Sequence, residues 1–296
     1  MFRPSEKLYP FAFHWLEIAG QRMHYLDEGP RDAPVVLMVH GNPTWSFYYR
    51  NLILALRGGY RAIAPDHIGC GLSDKPGDDR YQYTLHSRVE DLEALLKHLG
   101  VEREITLVLH DWGGMIGMLY AVRHPERIKR PVILNTSAFH LPATKRFPWA
   151  LWLCRNTAPG AFLVRRFNAF SAVASHVCCT RQKMPREIRR AYREPYNSWQ
   201  NRIATLRFVQ DIPLKTGDPG YDLVSEVEQN VGKLAGKPIL ICWGMKDFVF
   251  DHHFLQCWEE RFPEAEVHRF EDCGHYILED ASEEVIEHIG DFLKRT

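Results

Sequence analysis

The chain has 296 residues, with 37 Lys and Arg against 37 Asp and Glu, so it offers no net field to hold a polyanion or an acidic membrane surface, and nucleic acid is not an expected partner. Apolar residues at 45% and charged residues at 25% are ordinary for a folded chain and exclude extended disorder. One large domain carrying an insertion is the economical expectation for this length.

Residues 1–10 hold Arg3, Glu6 and Lys7 with no apolar run after them, so no secretory signal is expected there. No stretch approaches the roughly eighteen consecutive apolar residues of a membrane span. Residues 14–18 and 22–26 alternate in polarity around Ala19, Gly20 and Gln21, which predicts an antiparallel hairpin at a sheet edge. Continuous apolar runs follow at 35–40, 60–65, 105–110, 131–135 and 238–243, the mark of parallel strands covered on both faces. Residues 84–99 and 114–124 read at helical period, 266–270 as a last strand and 281–293 as a closing helix, so the class is α/β. From 139 to 232 the strand signal disappears, and Trp149, Trp152, Phe162, Phe167, Phe170, Trp199 and Phe208 stand among many arginines. The expected organisation is a core of 1–138 and 233–296 with a helical cap of 139–232 over the sheet's carboxyl edge. Together the cap aromatics predict a lid with an aromatic underside and a dry chamber beneath it.

Seven cysteines, an odd number without CxxC spacing, argue against a disulfide framework and a zinc site. Reduced thiols in a cytoplasmic protein, with no metal and no cofactor, are the expectation. The adjacent Cys178 and Cys179 are the one arrangement suggestive of metal or redox chemistry.

The segment LVLHDWGG, residues 107–114, sets Asp111 between a buried strand and a helix, the context of a nucleophile elbow with Asp in place of the commoner Ser. Leu109 departs from the usual small residue two positions earlier, while Gly113 is present on the other side. HGNPTW, residues 40–45, follows an earlier strand where this architecture places its oxyanion loop, so Asn42 brings a side-chain amide and a backbone N–H toward the site. Trp112 adds an indole N–H that only donates. Two neutral donors in a dry pocket stabilise a departing anion. Asp247 follows the next-to-last core strand and His275 the last, which completes the chain order nucleophile, acid, His. Asp247 would hold the His275 tautomer; Asn135, after the strand at 131–135, has no carboxylate to replace it. No role is assigned to His40, His110 or His124.

The nucleophile's chemistry selects the substrate carbon. Serine attacking a saturated carbon leaves an inert ether, whereas aspartate leaves an ester that a His-activated water opens. Asp111 therefore suits displacement of a leaving group from carbon, or the opening of a strained ring.

HGNPTW, DHIGCGLSDKP (residues 66–76), HDWGG, WGMKDFVFD and EDCGHY together resemble the haloalkane dehalogenases of the α/β-hydrolase superfamily over nearly the whole chain. The resemblance implies an α/β-hydrolase fold, with a mostly parallel eight-stranded sheet, helices on both faces and a helical cap. It also implies Asp111 as nucleophile, His275 as base, Asp247 as acid, and Asn42 with Trp112 as the pair that binds the leaving group. HGNPTWSFYYRNL, LVLHDWGGMIGM, ATLRFVQDIPL and ICWGMKDFVFD resemble the third subgroup, whose members are similar to the β-lactone decarboxylases of bacterial long-chain olefin biosynthesis. That likeness implies conversion of a cis-3,4-dialkyl oxetan-2-one to a cis-alkene and carbon dioxide, and work beside a β-lactone synthetase. Attack at the ring carbon and attack at the carbonyl both remain open. So do three rivals: haloalkane hydrolysis, epoxide hydrolysis with Tyr192 and Tyr196 as ring-oxygen acids, and a non-catalytic protein of hydrolase fold.

Overall fold

The structure, a computed structural model, describes residues 4–296. The expectation of no secretory signal rests in part on positions 1–3, which lie outside the described residues. Among the described residues the strands are β1 His14–Ile18, β2 Gln21–Glu28, β3 Val35–Val39, β4 Arg61–Pro65, β5 Ile105–Asp111, β6 Ile128–Thr136, β7 Leu240–Gly244 and β8 Glu266–Phe270. They form one sheet in the order β1-β2-β4-β3-β5-β6-β7-β8. Only β2 opposes its two neighbours; all other neighbouring pairs run parallel.

The uninterrupted apolar runs follow from burial on both faces. Leu37, Val39, Leu107, Leu109 and Ile133 point to one face, while the alternate residues Val36, Met38, Val108, Val132 and Leu134 point to the other. Helices α1 Arg50–Leu56, α2 Leu85–His98 and α3 Trp112–Arg123 lie among the first six strands. Six more, α4 Trp149–Asn156, α5 Ala158–Phe167, α6 Ala169–Val177, α7 Arg186–Arg193, α8 Ile203–Gln210 and α9 Tyr221–Asn230, separate β6 from β7 without a strand. The chain closes with α10 His252–Arg261, α11 Ile277–Asp280 and α12 Ser282–Arg295. Helices α2, α3, α9 and α10 cover the first face, and α1 and α12 the second. No helix among the described residues is long and apolar enough to cross a membrane.

Several expected boundaries move for identifiable reasons. The hairpin turns on Ala19 and Gly20 alone, both at positive φ (48° and 78°), a two-residue geometry that lets Gln21 pair directly with Ile18. Strand β6 starts three residues before the expected 131, because Arg130 is buried by donating to the Leu293 carbonyl and Thr106 Oγ1, both at 3.0 Å. The sequence reading overlooked α10, although Asp251 caps it through the His253 N–H and Phe254, Leu255 and Trp258 repeat at helical spacing.

Candidate active site

Asp111 ends β5 and begins α3 with φ 52° and ψ −127°, a conformation that costs a non-glycine residue on the order of 1–3 kcal/mol and is held by its surroundings. The Thr136 hydroxyl donates to the Asp111 carbonyl. A Cβ at Gly113 would fall on the Val39 carbonyl, and one at Gly41 on Asp111 Oδ1, so the elbow and the loop facing it approach as closely as backbone allows.

Asp111 Oδ1 accepts the Asn42 backbone N–H at 2.5 Å, and Oδ2 lies 3.5 Å from His275 Nε2. The loop that delivers Asn42 is pinned from behind. His40 Nδ1 donates to the Gly41 carbonyl at 2.8 Å, while its Nε2 accepts the His67 N–H at 3.1 Å. Burial pushes the His40 pKa down, in keeping with that neutral tautomer. His110 Nε2 lies 2.9 Å from the His275 carbonyl and steadies the opposite loop. The Asn42 side chain spends one N–H on the Thr205 carbonyl at 3.1 Å, which leaves its second N–H for a ligand. Trp112 packs on Phe208 and lines the same cavity as Asn42.

His275 Nδ1 meets Asp247 Oδ2 at 2.7 Å. Burial pushes the imidazole pKa down, but the carboxylates of Asp247 and Asp111 outweigh it and raise it to about 10. With that pKa, His275 is an imidazolium beside two carboxylates at neutral pH. Consuming the charge on Asp111 removes one of those carboxylates and moves the imidazole toward its neutral, basic form.

All five residues singled out in the sequence thus meet within one arrangement, and three neighbours take places in it that the sequence reading did not assign. Asn135 is the first. A register shift in the β5–β6 pairing leaves it bulged between Leu134 and Thr136 at φ 34°. From there its Nδ2 donates to the Gly244 carbonyl (3.0 Å) and to Asp247 Oδ2 (3.1 Å), and its Oδ1 accepts the Gly244 N–H (2.8 Å). It fastens the proposed acid rather than replacing it. Asn135→Leu strips a partner from each of those buried groups. We expect a loss of about 1–3 kcal/mol, read by denaturant unfolding, together with lower turnover; an unchanged midpoint would show that the anchor is idle.

Arg88 is the second. It is fully buried, with its guanidinium 3.7 Å from the Phe208 ring centroid and 5.9 Å from that of Trp112, and with Asp211 at 3.6 Å. Its position in the apolar stripe of α2, beside Val89 and Leu92, was the available signal. Cys178 is the third, lining the cavity, with its carbonyl accepting the Tyr276 N–H at 2.9 Å. Burial pushes the thiols of both Cys178 and Cys179 up. Among the described residues, Asp251, His252 and His253 bring three potential ligand atoms within 4.8 Å. Asp251 there already caps α10 and pairs with Lys145 Nζ at 2.5 Å.

The cavity holds about 300 Å³, at the small end of ligand pockets. Asn42, Asp111, Trp112 and His275 form its polar floor, and Phe139, Leu141, Phe147, Leu151, Phe170 and Val209 stand among its apolar walls. Its lining corrects the expected aromatic underside. Of the seven aromatics, only Phe170 faces the cavity, and Phe208 is buried behind Trp112. Trp149, Trp152, Phe162, Phe167 and Trp199 are exposed, Trp149 at 78%. Helical period reveals an apolar face without revealing which side is wet: α4 turns Leu151 and Cys154 inward and Trp149 and Trp152 outward. Tyr192 and Tyr196 donate to Glu279 Oε1 (2.5 Å) and the Thr44 carbonyl (3.1 Å) and do not line the cavity, so epoxide opening loses its expected acids.

The profile of the alpha/beta hydrolase fold family matches residues 34–282, and the chain belongs to that family. It is 62% identical to a cis-3-alkyl-4-alkyloxetan-2-one decarboxylase of Shewanella oneidensis over 98% of this chain and 91% of the relative. A protein of the same name from Xanthomonas campestris is 49% identical over 93% of each chain. A solved haloalkane dehalogenase structure from Bradyrhizobium elkani superposes with a TM-score of 0.82 at 26% identity, over 97% of this chain and 100% of the other.

Proposed function

We propose that this protein is a β-lactone decarboxylase that converts cis-3,4-dialkyl oxetan-2-ones to cis-alkenes and carbon dioxide, with Asp111 as nucleophile. The observation that carries the reading is the 62% identity to the Shewanella decarboxylase across nearly the full chain, joined to a carboxylate at the elbow instead of a hydroxyl. Residues 1–138 and 233–296 act as the catalytic core and 139–232 as the cap. The protein works in the cytoplasm without metal or cofactor, in an assembly with the synthetase that forms its lactone.

The geometry supports a cycle that needs no water. Asp111 attacks the saturated, alkyl-bearing ring carbon that is bonded to the ring oxygen; the new C–O bond forms on the face opposite the C–O bond that breaks, and the lactone opens to a free carboxylate. Trp112 and the spare Asn42 N–H hold that carboxylate. The bond from the neighbouring carbon to this carboxylate then breaks and releases carbon dioxide. Its electron pair forms the alkene as the ester oxygen leaves, which returns Asp111 to a carboxylate. Inversion followed by anti elimination turns a cis lactone into a cis alkene. His275 and Asp247 keep the site's charge balanced throughout, and the apolar walls keep water from diverting the ester.

Haloalkane hydrolysis is the second reading, favoured by the likeness to the Bradyrhizobium dehalogenase structure. It uses the same attack but requires His275 to act as a base on water once Asp111 is esterified. Incubation with a synthetic cis-dialkyl β-lactone, followed by gas chromatography, separates the two. We expect the cis-alkene without the β-hydroxy acid. Release of halide from short haloalkanes with no alkene from the lactone would reverse the order.

A further inference from the structure

A net charge of zero conceals an uneven partition along the chain. Residues 145–202 carry 12 Lys and Arg against 2 Asp and Glu, so the excess acid lies on the rest of the chain. The same stretch holds Trp149, Trp152, Phe162, Leu163, Phe167, Val173, Val177 and Trp199, eight of the eleven large hydrophobic side chains that are exposed among the described residues. Single exposed apolar residues need no explanation, but a concentration of this kind marks a surface that meets something.

The two properties are interleaved. Phe162 stands 6.1 Å from both Phe167 and Trp199, ring to ring. Arg165 lies 4.7 Å from the Trp199 centroid and Arg166 5.4 Å from that of Phe167. Beside this cluster, Arg166, Arg186, Arg189, Arg190, Arg193 and Arg202 line an open cleft in which Glu194 is the one acid among the described lining residues. Aromatic rings flanked by guanidinium groups match the boundary of an anionic bilayer, where the rings enter the acyl region and the cations meet phosphate.

Residues of this face also line the chamber. Val173 lines the cavity and is also 55% exposed, one turn before exposed Val177 on α6. Ala150 likewise lines the cavity and is exposed beside Trp149. We propose that the outer face of α4–α7, with Trp199, docks on an anionic phospholipid bilayer and sets the mouth of the chamber against the lipid. An apolar substrate then passes from membrane to Asp111 without crossing water. Docking itself does not depend on the lactone reading; only this use of it does.

The test is co-sedimentation of the purified protein with vesicles of phosphatidylcholine alone or enriched in phosphatidylglycerol. Two variants are compared with the parent: Phe162→Ser with Phe167→Ser and Trp199→Ser, and Arg186→Glu with Arg189→Glu and Arg190→Glu. Thermal unfolding confirms that each is folded. We expect the parent to bind the anionic vesicles, to be released by salt, and to bind neutral vesicles at least about tenfold less. Each variant should lose at least about tenfold in binding to anionic vesicles. Equal binding to both vesicles, undiminished binding by the variants, or a parent that binds neither vesicle would overturn the proposal. A parent that instead dimerises through this face, with the serine variant monomeric, would also overturn it. Lactone turnover in detergent micelles is read separately, so failure of docking and failure of the lactone reading are distinguishable.

Discussion

Asp111→Asn is expected to lower lactone turnover by at least about 10³-fold, because removing the nucleophile of a site that acts as a unit costs up to ~10⁶-fold. The substitution is chosen to leave the elbow standing. Asparagine tolerates the positive φ that Asp111 adopts. Its amide oxygen can still accept the Asn42 N–H that now reaches Oδ1 at 2.5 Å. What disappears is the carboxylate, and with it both the attacking electron pair and one of the two charges that raise the His275 pKa. Intact-mass measurement of the parent, quenched during turnover of a slow lactone, should find an adduct that peptide mapping places on Asp111. The variant should show none while unfolding at the parent's temperature. Full turnover by the variant, or an adduct on another residue, would end the proposal for this side chain.

The chain order of strand runs and the residues that terminate them made most of the site legible. Asp111 ends a continuous apolar run and Asp247 stands just beyond another, while His275 follows the more polar last strand, and a parallel sheet delivers the carboxyl ends of its strands to one edge. Asn135 was illegible because its role rests on a one-residue bulge, and apolar periodicity carries no information about a local slip in pairing. Arg88 was hidden because a cation inside an apolar stripe reads as a solvated interruption, although here two aromatic rings and Asp211 surround it. The direction of the cap aromatics was the largest misjudgement. The cap helices carry apolar residues on two sides, one toward the chamber and one toward solvent, and the sequence alone does not distinguish an enclosing side from a docking side.

Asp247→Asn should lower lactone turnover, by less than Asp111→Asn does, because it removes one of the two carboxylates that hold His275 charged and balance the site. Asp247 Oδ1 accepts the N–H groups of Val249 at 2.7 Å and Phe250 at 3.1 Å, so the new amide keeps its oxygen there. Its nitrogen then takes the place of Oδ2, facing His275 Nδ1 and the Asn135 Nδ2 that now donates to this position. Two donors oppose each other on the Asn135 side, and the imidazole must present an acceptor at Nδ1, which puts its proton on Nε2 toward Asp111. The pH dependence of stability follows from the same contacts. In the parent the folded pKa of about 10 lies above the ordinary 6.5. The stabilisation from charged His275 is therefore complete below about 6.5 and is lost as pH rises through about 10. Without the Asp247 carboxylate, burial weighs more heavily and the pKa falls. Thermal unfolding followed from pH 6 upward should show a decline across this window in the parent and a shallower one in the variant. Parallel curves would mean that His275 is not held charged by Asp247, and the reading of a resting imidazolium would fall with them.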